Sequence, residues 1–281
     1  KKEYPQKSPA VCAAFMSCGR LHLLRTTMRA FMMHMEDHEP QMRYEIAWVD
    51  QGSGPEAREV QKEIPMEHSL LWQLNYGLAY GLNTLLFGLC RRSKYAMTME
   101  EDWLWKKDKI AVPAIAMAIR VMEYDSEVVG VFLRSVVQYG QETSEAGPWT
   151  TIPSEQGSSL PAIEYRRMCQ KAGKWGSWTN GAAIWNRQKL EQDVGLFNEE
   201  WGDASEQEYA TRVGRKYCAA QIRTQKDCET SLCNAVADHI GDERTPGWAP
   251  EIEFLGRNRF MCTSYGRLVD DEVCRKYQAT G

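Results

Sequence analysis

Residues 95–105 read YAMTMEEDWLW. The apolar run Tyr95–Met99 is short and bounded, which fits a strand buried on both faces. It ends in three consecutive carboxylates, Glu100, Glu101 and Asp102, and then Trp103. Open α/β sheets bind ligands at the carboxyl ends of their strands. Three acidic side chains at such an end repel one another unless a positive charge sits among them, and hard divalent cations take carboxylate oxygens. The triplet also fits a solvated loop before a helix, because acidic residues favour helix N-termini. The flanking sequence weighs these readings.

Upstream, Pro9–Met16 reads as a first strand, turned by Ser17, Cys18, Gly19 and Arg20. Leu23, Leu24, Thr27, Met28, Phe31 and Met35 then recur near helical spacing within Leu21–Met35. A second strand, Tyr44–Val49, runs into Asp50-Gln51-Gly52-Ser53-Gly54, a glycine-rich turn. A polar helix over Glu56–Glu63, a strand over Ser69–Gln73 and a small-residue apolar helix over Asn75–Cys90 lead back to the acidic stretch. This alternation is the signature of a parallel sheet with crossover helices.

Downstream, Lys109–Met122 reads as a helix with Pro113 in its first turn, and Val128–Leu133 as a fully buried strand. Gly140–Ser159, rich in Gly, Ser, Thr, Glu and Pro, reads as a long connection or a lid that carries Trp149. A strand over Ala182–Trp185, helices over Asn186–Val194 and Asp203–Lys216, a strand over Cys218–Thr224 and a terminal helix over Val269–Tyr277 follow. No composition shift marks a second domain. The expected fold is α/β, a single domain over 1–281 with a mixed but mostly parallel central sheet and helices on both faces.

Composition narrows the partners. With 281 residues, 43% apolar and a net charge of −4, the chain holds no long basic run, so no nucleic-acid partner is indicated. No apolar run reaches membrane-spanning length. Trp149, Trp175, Trp178 and Trp248 fall in loop-like stretches, where flat rings stack on a sugar or base or pack under the loop. The nine Cys form no CxxC pair, and Cys228 with Cys233 would close a small loop in an oxidising compartment. The start at Lys1 and the absence of an N-x-S/T sequon leave the compartment open: secretory lumen if an upstream anchor was trimmed, otherwise cytoplasm.

Several residues carry two readings. Asp50, at a strand end, accepts from a base N–H or ribose hydroxyls, or caps its own turn. Ser17 and Arg20 flank the same place. Gly77 and Gly81, four apart, share a helix face that lets backbone approach a ligand or the sheet, with the amides of Asn75 and Asn83 nearby.

The set in order is similar to the family 2 glycosyltransferases and their GT-A relatives. The matching pieces are the first strand with Arg20, EIAWVDQGSG (45–54), NYGLAYGLN (75–83), MEEDW (99–103), TNGAAIWNRQKL (179–190), GLFNEEWGDASEQEYATR (195–212) and DHIGDERTPGW (238–248). The resemblance covers about residues 10–248. It implies a Rossmann-like GT-A fold with a nucleotide-sugar-binding half over about 10–135 and an acceptor half over about 160–250. It implies inverting transfer from a UDP-sugar to a hydroxyl of a glycan, protein or small molecule, assisted by Mn2+ or Mg2+.

MEEDW resembles the metal-binding DXD motif, with Glu100 in place of the first Asp and Asp102 as the last; that Glu is a departure. His239 resembles a late metal or diphosphate ligand, and Glu101 falls beside the nucleotide. Ser17, Arg20, Asp50, Asn75, Gly77 and Asn83 are the expected nucleotide contacts, with Lys226 and Arg244 for diphosphate charge. Trp178, Asn180 and Gly181 would wall off donor from acceptor. Glu206 stands at the place of the catalytic Asp, with Ser205-Glu206 for Glu-Asp, another departure. There it would act as general base on the acceptor hydroxyl. Two other readings stay open: a non-catalytic binder of carbohydrate or nucleotide sugar, and a sugar-phosphate nucleotidyltransferase. The latter needs a glycine-rich loop after the first strand, and SCGRLHLL has one Gly.

Overall fold

The computed structural model describes residues 10–106, 113–134, 144–154, 160–170, 178–179, 181–225, 234–239, 263–264 and 267–268. The expected terminal helix over Val269–Tyr277 and the Cys228–Cys233 loop lie outside these residues.

Strand β1 (Val11–Ser17) is buried at every position. Helix α1 (Leu21–His38) follows, and its buried Leu24, Met28, Phe31 and Met35 form one stripe against the sheet. Next come β2 (Tyr44–Gln51), α2 (Glu56–Glu63) and β3 (His68–Trp72). The expected helix over 75–90 is broken: α3 (Leu78–Leu82) gives way to a π-helical stretch, Asn83–Gly88, and a 3-10 turn, Leu89–Arg92. Then β4 (Tyr95–Glu100), β5 (Trp103–Trp105), α4 (Ala114–Tyr124) and β6 (Val128–Phe132) follow. Pro113 stands at the N-cap of α4 rather than within its first turn. Buried Glu39 supplies the cap, accepting from the backbone N–H of Ile115 (2.6 Å) and Ala116 (3.0 Å).

The second half holds β7 (Ser144–Ile152), β8 (Ile163–Gln170), β9 (Ala183–Trp185), α5 (Arg187–Asp193), α6 (Ser205–Gly214), β10 (Cys218–Ile222) and β11 (Ala237–His239). A 3-10 stretch, Glu199–Ala204, leads into α6.

One nine-stranded sheet runs in the order β3-β2-β1-β4-β9-β6-β10-β8-β7. It is mixed, and the expectation of a mostly parallel sheet is corrected. Strands β3, β2, β1 and β4 are parallel neighbours, as are β6 and β10. The other four pairings are antiparallel, because the short β9 enters reversed between β4 and β6 and β8 reverses against both β10 and β7. Helices cover both faces: α1, α2 and α4 pack on one, and α3, α5 and α6 on the other. At β9 the fit is tight, since a Cβ on Gly130 would stand 2.0 Å from the Trp185 ring.

The expectation of a long connection or lid over Gly140–Ser159 is corrected at 144–152, while residues 140–143 and 155–159 lie outside the described residues. Residues 144–152 form edge strand β7, with Gly147 and Pro148 at the register shift between Ala146 and Trp149. Proline is tolerated at such edge irregularities. Trp149 lies under two guanidinium groups, with Arg166 4.8 Å and Arg223 4.2 Å from its ring centroid. Two disulfides brace the sheet: Cys12–Cys90 joins β1 to the 3-10 turn, and Cys169–Cys218 joins the neighbouring strands β8 and β10.

Candidate functional site

Parallel register gathers the site. Ser17 lies opposite Asp50, and Met16 opposite both Val49 and Glu100, so three adjacent strands end together. Asp50 is wholly buried and builds the turn behind it. Its Oδ1 accepts from Ser17 Oγ (2.9 Å) and Ser53 Oγ, and its Oδ2 accepts from the Ser53 N–H (2.9 Å). Burial raises the Asp50 pKa, and the bonds from Ser53 and Ser17 pull part of that back. Trp48 Nε1 donates to Ser17 Oγ (2.9 Å), and the Gly19 N–H donates to Ser53 Oγ (2.7 Å). Ser17 and Asp50, both expected nucleotide contacts, therefore hold the turn at the ends of β1 and β2.

The acidic turn has a cation of its own. Arg20 sits 2.9 Å from Glu101 Oε1 and 2.7 Å from Asp102 Oδ2. Both acids are buried, and Thr27 Oγ1 holds the Glu101 carbonyl (2.8 Å). Desolvation raises Glu101 to about 7, against the pull of Arg20. Glu100 rises further, to about 8, through desolvation first and then the charges of Asp102, Glu206 and Glu101. Trp103 Nε1 donates weakly to Glu100 Oε2 (3.4 Å). Among the charges that raise Glu100, at the end of β4, is that of Glu206 in the first turn of α6.

Glu206 is partly buried, in the first turn of α6. Its neighbour Glu208 is taken by Arg212, at 2.5 Å and 2.8 Å from the two carboxylate oxygens. Arg212 also donates to the carbonyls of Val194 (2.6 Å) and Leu196 (2.8 Å), so that pair is a structural clamp.

Asn75 Oδ1 accepts from the Gly77 N–H (2.8 Å), and Asn75 Nδ2 approaches Cys18 Sγ (3.7 Å). Gly77 has φ 88°, a conformation that favours glycine, and heads α3. A Cβ on Gly81 would meet Met16 Sδ at 2.8 Å, so that glycine serves helix–sheet packing. Asn83 is engaged within the fold. Its amide donates to the Phe197 carbonyl (3.0 Å) and to Glu199 Oε1 (2.9 Å), and accepts from the Phe197 N–H (2.8 Å). It ties the π-helical stretch to the segment ahead of α6.

Trp178 is likewise no open sugar platform. It is 5% exposed and stacks on Trp185 at 4.2 Å, with Phe197 and Tyr209 edge-on. Gly181 abuts Trp103, where a Cβ would stand 2.8 Å from the ring, and its carbonyl accepts from Thr98 Oγ1 (3.2 Å). Strand β11 pairs antiparallel with β5, which sets the backbone of His239 opposite Trp103, one residue from Asp102. Asn180, Lys226 and Arg244 lie outside the described residues.

Sequence reasoning missed Cys18 and Arg134. Cys18 stands among Asp50, Glu101, Asn75 and Arg20, and burial pushes its thiol up to about 12. Arg134 lies over the Trp103 ring at 5.6 Å. No sequence signal marks either, since a lone Cys in a turn and a lone Arg after a strand are common.

Among the described residues no three His, Cys, Asp or Glu side chains are grouped so as to hold a metal ion. Glu100 and Asp102 offer carboxylate oxygens of the kind hard divalent cations take, and Asp102 is paired with Arg20.

No protein-family model matches the chain, and no curated protein matches it in sequence. Solved structures do. TarS 1–349 of S. aureus aligns at a TM-score of 0.51 with 11% identity, over 78% of this chain and 59% of that one. GalNAc-T7, solved with UDP, GalNAc and Mn2+, aligns at 0.50 with 12% identity, over 78% of this chain and 43% of that one. The chain thus spans about half the length of these structures. At these identities the likeness concerns the fold alone, and that fold is the mixed α/β architecture of glycosyltransferases.

Proposed function

We propose that this chain is a nucleotide-sugar-dependent glycosyltransferase with a UDP-sugar donor, acting with inversion on an acceptor hydroxyl. One observation carries the reading: Glu206, in the first turn of α6, lies close enough to the acidic end of β4 for its charge to raise Glu100. In this scheme Ser17, Arg20, Asp50, Asn75, Gly77 and Glu101 border the nucleotide, with Asn180, Gly181 and Arg244 toward the sugar and diphosphate. Glu206 takes the acceptor proton as its oxygen attacks the anomeric carbon. Glu208 is unsuited to that work, because Arg212 holds both its oxygens. Glu100, Asp102 and His239 would hold a divalent cation, which neutralises charge on the departing diphosphate. The two disulfides support folding in an oxidising compartment.

The test is UDP release from a panel of UDP-sugars, with and without manganese, followed by anomeric NMR of any product. Manganese-dependent release and an inverted product are expected. A retained configuration overturns the single-displacement scheme, and the absence of UDP binding by calorimetry overturns the reading as a whole.

A further inference from the structure

One guanidinium stands between two jobs. The backbone of Arg20 is fixed at the start of α1, where its carbonyl accepts from the N–H groups of Leu23 (3.0 Å) and Leu24 (3.2 Å). Its side chain reaches Asp102 Oδ2 through Nη1 (2.7 Å) and Glu101 Oε1 through Nε and Nη2 (2.9 Å each). Its charge also acts on the Cys18 thiol, as does that of Asp50, so it borders the turn where Asn75 meets Cys18. The acids hold Arg20 in the structure, whereas the nucleotide site proposed above asks it to meet a phosphate.

Asp102 is also an expected cation ligand, so a cation and Arg20 compete for one carboxylate. The side chains of Glu101 and Asp102 are 6% and 5% exposed, and water therefore screens little of the repulsion between two cations placed there. Arg20 cannot leave unreplaced either, because two buried carboxylates would lose their counter-charge. The backbone of the turn need not move in an exchange, since Thr27 Oγ1 holds the Glu101 carbonyl (2.8 Å) independently of Arg20. The planar fork of arginine suits phosphate oxygens as well as carboxylates.

We propose that Arg20 is an exchangeable latch: it holds Asp102 until a divalent cation takes that carboxylate, and is then released to the diphosphate of the nucleotide. The latch rests on the function proposed above, whose site it regulates. Cation and nucleotide each favour the other, because both draw on the state in which Arg20 has left Asp102, and such coupling is reciprocal. A cation alone binds weakly, since the competent state is the minor one.

Side-chain NMR of the wild-type chain reads the exchange. The Arg20 Nε–Hε resonance, assigned through the backbone, should shift on titration with diamagnetic Mg2+ and shift again when UDP is added. An unmoved resonance in a protein that binds Mg2+ by calorimetry overturns the latch. Calorimetry with Mn2+ is the second measurement, with melting curves to confirm that the variant is folded. Without nucleotide, Arg20→Gln should bind Mn2+ roughly tenfold or more tightly than wild type, a coupling of ordinary size. UDP should tighten Mn2+ binding by a larger factor in wild type than in the variant. Equal Mn2+ affinity in the two proteins overturns the latch and leaves the transferase reading standing. UDP-sugar turnover that needs no divalent cation does the same, as does the absence of cation binding in a protein that binds UDP. If UDP fails to bind with or without Mn2+, both readings fall, so the two failures are distinguishable.

Discussion

Arg20 and Asp102 meet at 2.7 Å, and the same guanidinium reaches Glu101 at 2.9 Å. One cation from the turn after β1 thus balances two of the three acids at the end of β4. Removing it leaves two buried carboxylates uncompensated. Arg20→Ala is expected to lower unfolding free energy by about 3–5 kcal/mol, the scale for breaking a buried ion pair. Arg20→Lys, which keeps the charge but not the fork, should fall between. Urea unfolding at neutral pH measures both, and a variant as stable as wild type would contradict the pairing.

Glu206 and Glu208 separate by role. Glu206→Gln should fold normally, bind UDP as wild type does, and lose turnover by roughly 10²-fold or more. Glu208→Gln breaks the clamp on Arg212 and should cost about 1–3 kcal/mol of stability instead. Steady-state kinetics beside thermal melts read the split, and the reverse pattern would transfer the base role to Glu208.

Glu100 sets a pH dependence. Its folded pKa, about 8, lies above the ordinary 4.5. The folded state therefore holds a proton that the unfolded chain releases, and stability falls as pH rises from about 4.5 to 8. Glu100→Gln removes that penalty. It should leave stability nearly unchanged at pH 4 and raise it at pH 8, on the order of a few kcal/mol. Denaturation midpoints across this range check the sign, and a gain that shrinks with pH would refute it.

Asn83 bonds the Phe197 backbone in both directions and also reaches Glu199. Asn83→Ala should cost about 1–3 kcal/mol, since it strands the buried groups of that segment. UDP affinity should stay within a few-fold while transfer drops, because the change loosens the acceptor half. Calorimetry showing a large loss of UDP affinity would place Asn83 at the nucleotide site.

The first half of the fold was legible because its signals are local. β1, β2 and β4 carry apolar runs, buried at every position except Tyr44 and Glu100, and α1 shows its stripe at three- and four-residue spacing. β7 and β8 were not legible for the same reason. In β8 the adjacent Arg166 and Arg167 interrupt the apolar alternation, and their partners, Gln221 and Asp125, are supplied by distant elements. In β7, Gly147 and Pro148 read as loop, yet an edge register shift absorbs them.

The same division runs through the site. By itself the sequence determined the order of elements and the carboxylates at 100–102 and 206, because strand ends and helix starts are written in local periodicity. Tertiary structure alone decided what neutralises those carboxylates and which of them meet. Arg20 and Asp102 are 82 positions apart, and Glu100 and Glu206 are 106 apart. The Arg20–Asp102 pair depends on strand register, and the influence of Glu206 on Glu100 on where α6 docks. Desolvation, which moves Glu100 to about 8, exists only once the chain has closed around it.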